Sequence, residues 1–112
     1  MVHEMKLQDV YFEKVKCGSK IYEIRLNDEK RKLINKGDFI TFKKNSDLAQ
    51  EVTLVVEDLL HFSSFEEMAK SLPKDKIGFE NCEISKIIDV YHQFYSKNDE
   101  SKYGVLAIKI KI

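Results

Sequence analysis

The sequence predicts an α+β fold with a curled or barrel-like sheet. Three observations carry that reading. Apolar and polar residues alternate with period two in separate stretches, at 19–26, 38–43, 50–62 and 103–112. Stretches of helical period lie between them singly or in pairs. The order is β-α-β-α-β-β-α-α-β, without the strict βαβ rhythm of a doubly wound sheet. The 112 residues are 43% apolar and 34% charged, which suits one compact domain over residues 1–112 rather than a disordered chain.

Taken in order, residues 3–7 are a short first strand. From Gln8 the spacing becomes helical, with Leu7, Val10, Tyr11 and Val15 on one stripe. Asp9 suits the positive end of the helix dipole, and Lys14 and Lys16 the negative end. Gly18 stands where a left-handed residue is needed, so the helix ends at Cys17. The next strand puts Tyr22, Ile24 and Leu26 on one face, the better core face, and Ile21, Glu23 and Arg25 on the other. Lys20 has the wrong parity for that second face unless the strand starts late or bulges beside Gly18.

Asn27 or Asp28 then caps a short helix reaching about residue 35, with Leu33 and Ile34 inward, and Gly37 closes it. Asp38 opens a strand in which Ile40 and Phe42 alternate with Thr41 and Lys43. Asn45, Ser46 and Asp47 are turn residues, and the extended stretch 50–62 carries Val52, Leu54 and Val56 on one face. Ser63 and Ser64, each followed three residues later by Glu66 or Glu67, form a doubled capping box. Phe65, Met68, Ala69 and Leu72 make the stripe of the helix they open, and Pro73 stops it. Residues 74–79 read as a loop with some mobility. A stronger helix over 81–95 carries Ile84, Ile87, Ile88, Tyr91 and Tyr95. Residues 96–101 read as a polar loop. The chain closes on a half-buried strand with Leu106, Ile108, Ile110 and Ile112 on one face and Lys109 and Lys111 on the other. The expected core includes Leu54, Val56, Ile87, Ile88, Leu106 and Ile108.

The formal net charge is zero, which argues against non-specific coating of nucleic acid, because that affinity grows with the number of phosphates neutralised. Lys30, Arg31, Lys32, Lys36, Lys43 and Lys44 are read as solvated charges, or as a local basic face. Cys17 and Cys82 are far apart and form no C-x-x-C, and His3, His61 and His92 lack metal-ligand spacing, so neither metal nor cofactor is expected. Without a signal peptide or long apolar run, the expectation is a cytoplasmic protein with reduced thiols and no membrane contact.

Lys20, Glu23 and Arg25 stand among Ile, Tyr and Leu on one short segment, and three charges there form a surface ion-pair network or face a ligand. Arg25 suits bidentate recognition of phosphate; Glu23 orients it or accepts from a base amino group; Lys20 adds a point charge. Tyrosines near them stack a base or pack in the core.

Gly18, Lys20, Glu23 and Arg25 fit a Gly-x-Lys-x-x-Glu-x-Arg motif placed after a first helix. Gly37-Asp38 before an apolar strand and the closing segment from Tyr103 fit as well. In these features the chain resembles the ASCH family, small domains related to the PUA fold. The resemblance implies a PUA-like small β-barrel of about five to six strands flanked by helices, with a cleft where the motif residues converge. Family members are proposed to bind RNA or to act on RNA-related small molecules. One bacterial branch is an amidohydrolase that deacylates acetylcytidine with a Lys, a Thr and a Glu. Its Lys matches Lys20, its Thr position holds Glu23 here, and its Glu falls near Glu80 or Glu83.

The expectation is therefore an RNA- or nucleotide-binding domain taking single-stranded RNA, a nucleotide or a nucleoside. Its expected ligand-binding residues are Lys20, Tyr22, Glu23, Arg25, Asp28 and Tyr103. The alternative is a small amidohydrolase on acylated nucleosides, with Lys20 and Glu23 as its catalytic residues.

Overall fold

A computed structural model describes residues 1–111. Five strands form one sheet in the order β1-β3-β4-β5-β2. They are β1 (Val2–Leu7), β2 (Tyr22–Leu26), β3 (Phe39–Lys44), β4 (Asp47–Phe62) and β5 (Val105–Lys111). Four helices accompany them: α1 (Asp9–Lys16), α2 (Phe65–Ser71), α3 (Ile84–His92) and α4 (Lys97–Tyr103). The β1–β3 pair is parallel and the other three pairs are antiparallel.

The sheet curls into a half-barrel because of β4. Its first half pairs with β3 and its second half with β5, and the register shifts between Val56 and Asp58 where the strand changes partner. A bulge of this kind bends a strand and increases its twist. The curl brings the two sheet edges, β1 and β2, toward each other without hydrogen-bonding them.

Two apolar clusters fill the two sides of this sheet. The concave side holds Phe12 and Val15 of α1 with Ile40, Phe42, Leu106 and Ile108. The other side packs Phe65, Met68, Ile87 and Tyr91 of α2 and α3 against Ile24 and Ala107. Hence β5 is covered on both faces: Val105, Leu106, Ala107 and Ile108 are all buried, where alternation had suggested a half-buried strand. Ile112 lies outside the described residues.

Of the doubled capping box expected at residues 63–67, the Ser64–Glu67 part forms, whereas Glu66 pairs with Lys70 instead. Ser64 is the N-cap and its Oγ accepts from Glu67 N–H at 3.1 Å, while the Glu67 carboxylate reaches back to Ser63. Elsewhere tertiary contacts displace the local reading. In α1 it is Phe12 with Val15 that faces the core, and Val10 is exposed, because the helix rolls toward the barrel interior. The helix expected after Asp28 is one 3-10 turn, Arg31–Leu33; Leu33 is exposed, and Ile34, just past the turn, is buried. Residues 74–79, read as a loop, contain a 3-10 turn, Asp75–Ile77, and Ile77 and Phe79 are buried. Ile88 is only half-buried, since Ile87 takes the central position of α3.

The expected polar loop at 96–101 is helix α4. Ser96 caps it by accepting from Asp99 N–H at 3.1 Å, and Glu100 is buried. The Glu100 carboxylate accepts from Phe65 N–H at 2.7 Å and lies 2.7 Å from His92 Nε2, tying α4 to the start of α2 and the end of α3. No helix of the described residues is long and apolar enough to cross a membrane.

Candidate functional site

The segment after α1 turns back on itself. Gly18 adopts φ +85°, Lys20 N–H donates to Lys14 C=O at 3.0 Å, and Ile21 N–H donates to Lys76 C=O at 2.9 Å. The regular strand thus begins only at Tyr22. This late start resolves the parity conflict. Lys20 lies before the pleat begins, so its side chain is free to turn toward the same side as Glu23.

From Tyr22 the strand alternates strictly. Glu23 is paired with Ile108 and Arg25 with Leu106, so both charged residues share the concave face with core residues of β5. The opposite face carries Ile24 and Leu26 into the helix-side cluster. The charged face survives burial because its charges satisfy one another. Lys20 Nζ donates to Glu23 Oε1 at 3.0 Å and also to Tyr22 C=O. Ile24 N–H donates to the same carboxylate oxygen at 3.2 Å. Arg25 donates to Glu23 Oε2 through Nε at 3.3 Å and Nη2 at 3.0 Å. Four donors on one carboxylate leave it little capacity for another partner.

Arg25 has a second task. Its Nη2 donates to Lys6 C=O at 3.2 Å, spanning the gap from β2 to β1 where the barrel stays open. A side chain thus bridges the two edges that no backbone ladder joins.

A cavity of about 240 Å³ opens at this gap. Lys20, Glu23 and Arg25 contribute its charged floor; Tyr11 and Phe79 stand at one wall, Tyr91, Phe94 and Tyr95 at another. Gly78, at φ +93°, roofs Lys20 closely: a Cβ there would fall 3.2 Å from Lys20 Cδ and 3.3 Å from the Tyr11 ring. Phe94 is an exposed aromatic at this site, and Phe65 stacks behind Tyr91 with the ring centroids 4.7 Å apart. Among the lining residues, Lys6, Lys20 and Arg25 are cations and Glu23 is the one acid, so the cavity carries a positive balance.

The protonation states follow from burial and pairing. Burial disfavours the Lys20 charge most, and Glu23 does not fully offset it, so the ammonium titrates below an ordinary lysine. Burial also works against the Glu23 carboxylate, but Lys20 and Arg25 together outweigh it and hold that carboxyl below the usual range. For Arg25 burial again opposes the charge, and Glu23 with the Tyr95 hydroxyl more than compensates. Burial raises Tyr11, Tyr91 and Tyr95 above an ordinary phenol.

The candidate residues read from the sequence therefore divide. Lys20, Glu23 and Arg25 meet at one cavity. Tyr22 does not, because strand alternation sends its ring to the helix side. Asp28 accepts from Arg31 N–H at 3.0 Å, holding the chain before the 3-10 turn, and does not line the cavity. Tyr103 ends α4, and its ring lies under Lys102 Nζ at 5.0 Å and Lys32 Nζ at 6.0 Å. Glu80 pairs with Lys14 at 2.9 Å, and Glu83 is an exposed N-cap of α3; neither lines the cavity. The aromatic walls were visible in the sequence only as helix stripes, and nothing local marked Phe79 or Phe94 as their partners.

The model of the ASCH domain matches residues 5–112. The chain belongs to the ASCH domain family. Its fold is similar to the crystal structure of hypothetical protein PH0355, with 38% identity, a TM-score of 0.88 and coverage of 99% of this chain and 98% of that one. It is also similar to the solution NMR structure of protein PF0455 from Pyrococcus furiosus, at 35% identity and a TM-score of 0.80, covering 99% and 96% of the two chains. No curated protein matches the chain. Lys20, Glu23 and Arg25, the residues that carry the sequence resemblance, build the cavity floor, with Gly18 turning the chain before Lys20.

Proposed function

We propose that this ASCH domain, as a single cytoplasmic domain over residues 1–112, binds single-stranded RNA or a nucleotide by taking one nucleotide unit into the cavity. The observation that carries the reading is the joining of a positive floor to aromatic walls in a space near the lower end of small-ligand pockets. That space admits an unpaired base with its sugar and excludes a duplex. Arg25 reaches a phosphate with the guanidinium edge not held by Glu23 and Lys6, beside the Tyr95 hydroxyl. Phe94 and Tyr95 offer a stacking platform. Lys20 has one ammonium N–H left after Tyr22 and Glu23, suited to a base carbonyl.

Titration of the four nucleoside monophosphates, followed by NMR shifts of the cavity amides, tests this. Phe94→Ala removes a stacking surface and is expected to cost about 1–3 kcal/mol of binding. Absence of shifts at millimolar nucleotide, or shifts confined to residues remote from Arg25, would refute the reading.

A second reading, deacylation of acetylcytidine, rests on one observation: Lys20 is a buried amine whose proton is held less tightly than usual. Against it stands the saturation of Glu23, which leaves that carboxylate poorly placed to activate water. Turnover of acetylcytidine by the parent, abolished by Lys20→Ala in a folded protein, would favour the enzyme over the binding domain.

A further inference from the structure

Beside the first cavity lies a second groove, of about 290 Å³, between the start of β1 and the 3-10 turn after β2. Val2, Glu4, Lys30, Arg31 and Leu33 line it. Its single lining acid is already engaged, since Glu4 pairs with Lys43. His3, also in the lining, is bound to Asp38 at 2.8 Å. Along the basic run, Lys32 pairs with Glu29 and Lys36 with Asp58, whereas Lys30 and Arg31 have no carboxylate at ion-pair distance among the described residues. Asp28 commits one oxygen to the Arg31 backbone N–H. The groove is therefore net positive.

Exposed apolar side chains stand in and beside it. Val2 and Leu33 are 64% and 62% exposed, and Phe39, the cross-strand partner of Val2, is 44% exposed. Exposed apolar residues gathered around two unpaired cations suit a ligand with flat apolar faces and negative links.

The two concavities follow one gap between the sheet edges. β1 gives Lys6 and Leu7 to the first and Val2, His3 and Glu4 to the second. On the other side, Arg25 of β2 lines the first, and Arg31, in the 3-10 turn that follows β2, lines the second and is half-buried.

We infer that the second groove seats the next nucleotide of the same single strand. Arg31 and Lys30 hold the intervening phosphate, and the adjoining base rests on Val2 and Leu33. The ligand is then a single-stranded oligonucleotide rather than a free mononucleotide. The inference rests on the nucleotide reading of the first cavity and extends it from a one-unit to a two-unit site.

The experiment compares a nucleoside monophosphate with a short single-stranded RNA oligonucleotide on parent, Arg31→Ala and Leu33→Asp proteins. Leu33 is exposed, so its replacement leaves the core intact. The expected result is an Arg31→Ala loss of about tenfold in oligonucleotide affinity, the size of one charged hydrogen bond. The salt slope should flatten by about 0.7, as for one lost phosphate contact on a single strand. Leu33→Asp weakens the oligonucleotide too, and mononucleotide affinity stays the same in both variants. Equal weakening of both ligands, or unchanged oligonucleotide affinity, overturns the second seat while leaving the first cavity standing. Failure of the parent to bind either ligand overturns both.

Discussion

Replacing Glu23 by glutamine keeps the shape of the side chain and removes the one negative charge between Lys20 and Arg25. The Lys20 side chain is 3% exposed and that of Glu23 7%, so water cannot take over the lost pairing at Lys20. Arg25, at 20%, can recover part of its solvation. Breaking a buried pair from one side costs about 3–5 kcal/mol, a large share of the roughly 5–15 kcal/mol that holds a domain of this size. The sign with pH follows from the two groups. Glu23 has its folded carboxyl lowered from 4.5, so its contribution is present above that value and lost as pH falls through the lower folded one. Lys20 has its folded ammonium lowered from 10.5, so the penalty of keeping it charged is full below the folded value and fades as pH rises toward 10.5. The difference between parent and Glu23→Gln should therefore be small in acid, largest near neutrality, and smaller again in alkali. The difference shrinks by about 1.4 kcal/mol for each pH unit between the variant's Lys20 value and the parent's; above the parent's value both proteins regain stability together up to 10.5. Adding Lys20→Met removes the stranded cation and should restore most of the loss. Urea melts followed by circular dichroism at acid, neutral and alkaline pH measure all of this. A neutral-pH cost under ~1 kcal/mol, or a double variant no more stable than Glu23→Gln, would refute the buried-pair reasoning. The same arithmetic bears on Glu23→Thr, which would supply the hydroxyl of the amidohydrolase branch but strand Lys20 in the same way.

Three further outcomes are expected. Gly78→Ala combines a left-handed φ with a 3.2 Å approach to Lys20, so it should lower stability by more than ~1 kcal/mol in urea melts and weaken nucleotide binding by shifting the lysine. Ile87→Ala, at a fully buried site, should cost about 2–5 kcal/mol, and Ile88→Ala less; equal costs would mean that α3 packs in another rotation. Glu100→Ala leaves the Phe65 N–H without its partner and should cost about 1–3 kcal/mol, with amide exchange accelerated at the start of α2.

What the sequence determined by itself is local. The strand phases, the stop at Gly18, the Ser64 cap and the identity of Lys20, Glu23 and Arg25 as a distinctive set all depend on residues within a few positions of one another. Period, cap chemistry and glycine placement act over that range and need no tertiary partner. Tertiary structure decided the rest. Ser96 is as good a cap as Ser64, yet α4 lacks an apolar stripe, and its anchor is the bond Glu100 accepts from Phe65 N–H, which no periodicity records. Tyr22 and Glu23 are neighbours in sequence, but alternation sends one to the helices and the other to the cavity, and only the covering of both faces of β2 tells which charged side chains must pair. The bridge from Arg25 to Lys6, the roof of Gly78 over Lys20 and the seating of Phe79 beside Tyr11 join segments far apart in sequence. They exist because the sheet curls far enough to bring β1 and β2 together and stops short of pairing them, which leaves a gap that side chains, rather than backbone, must fill.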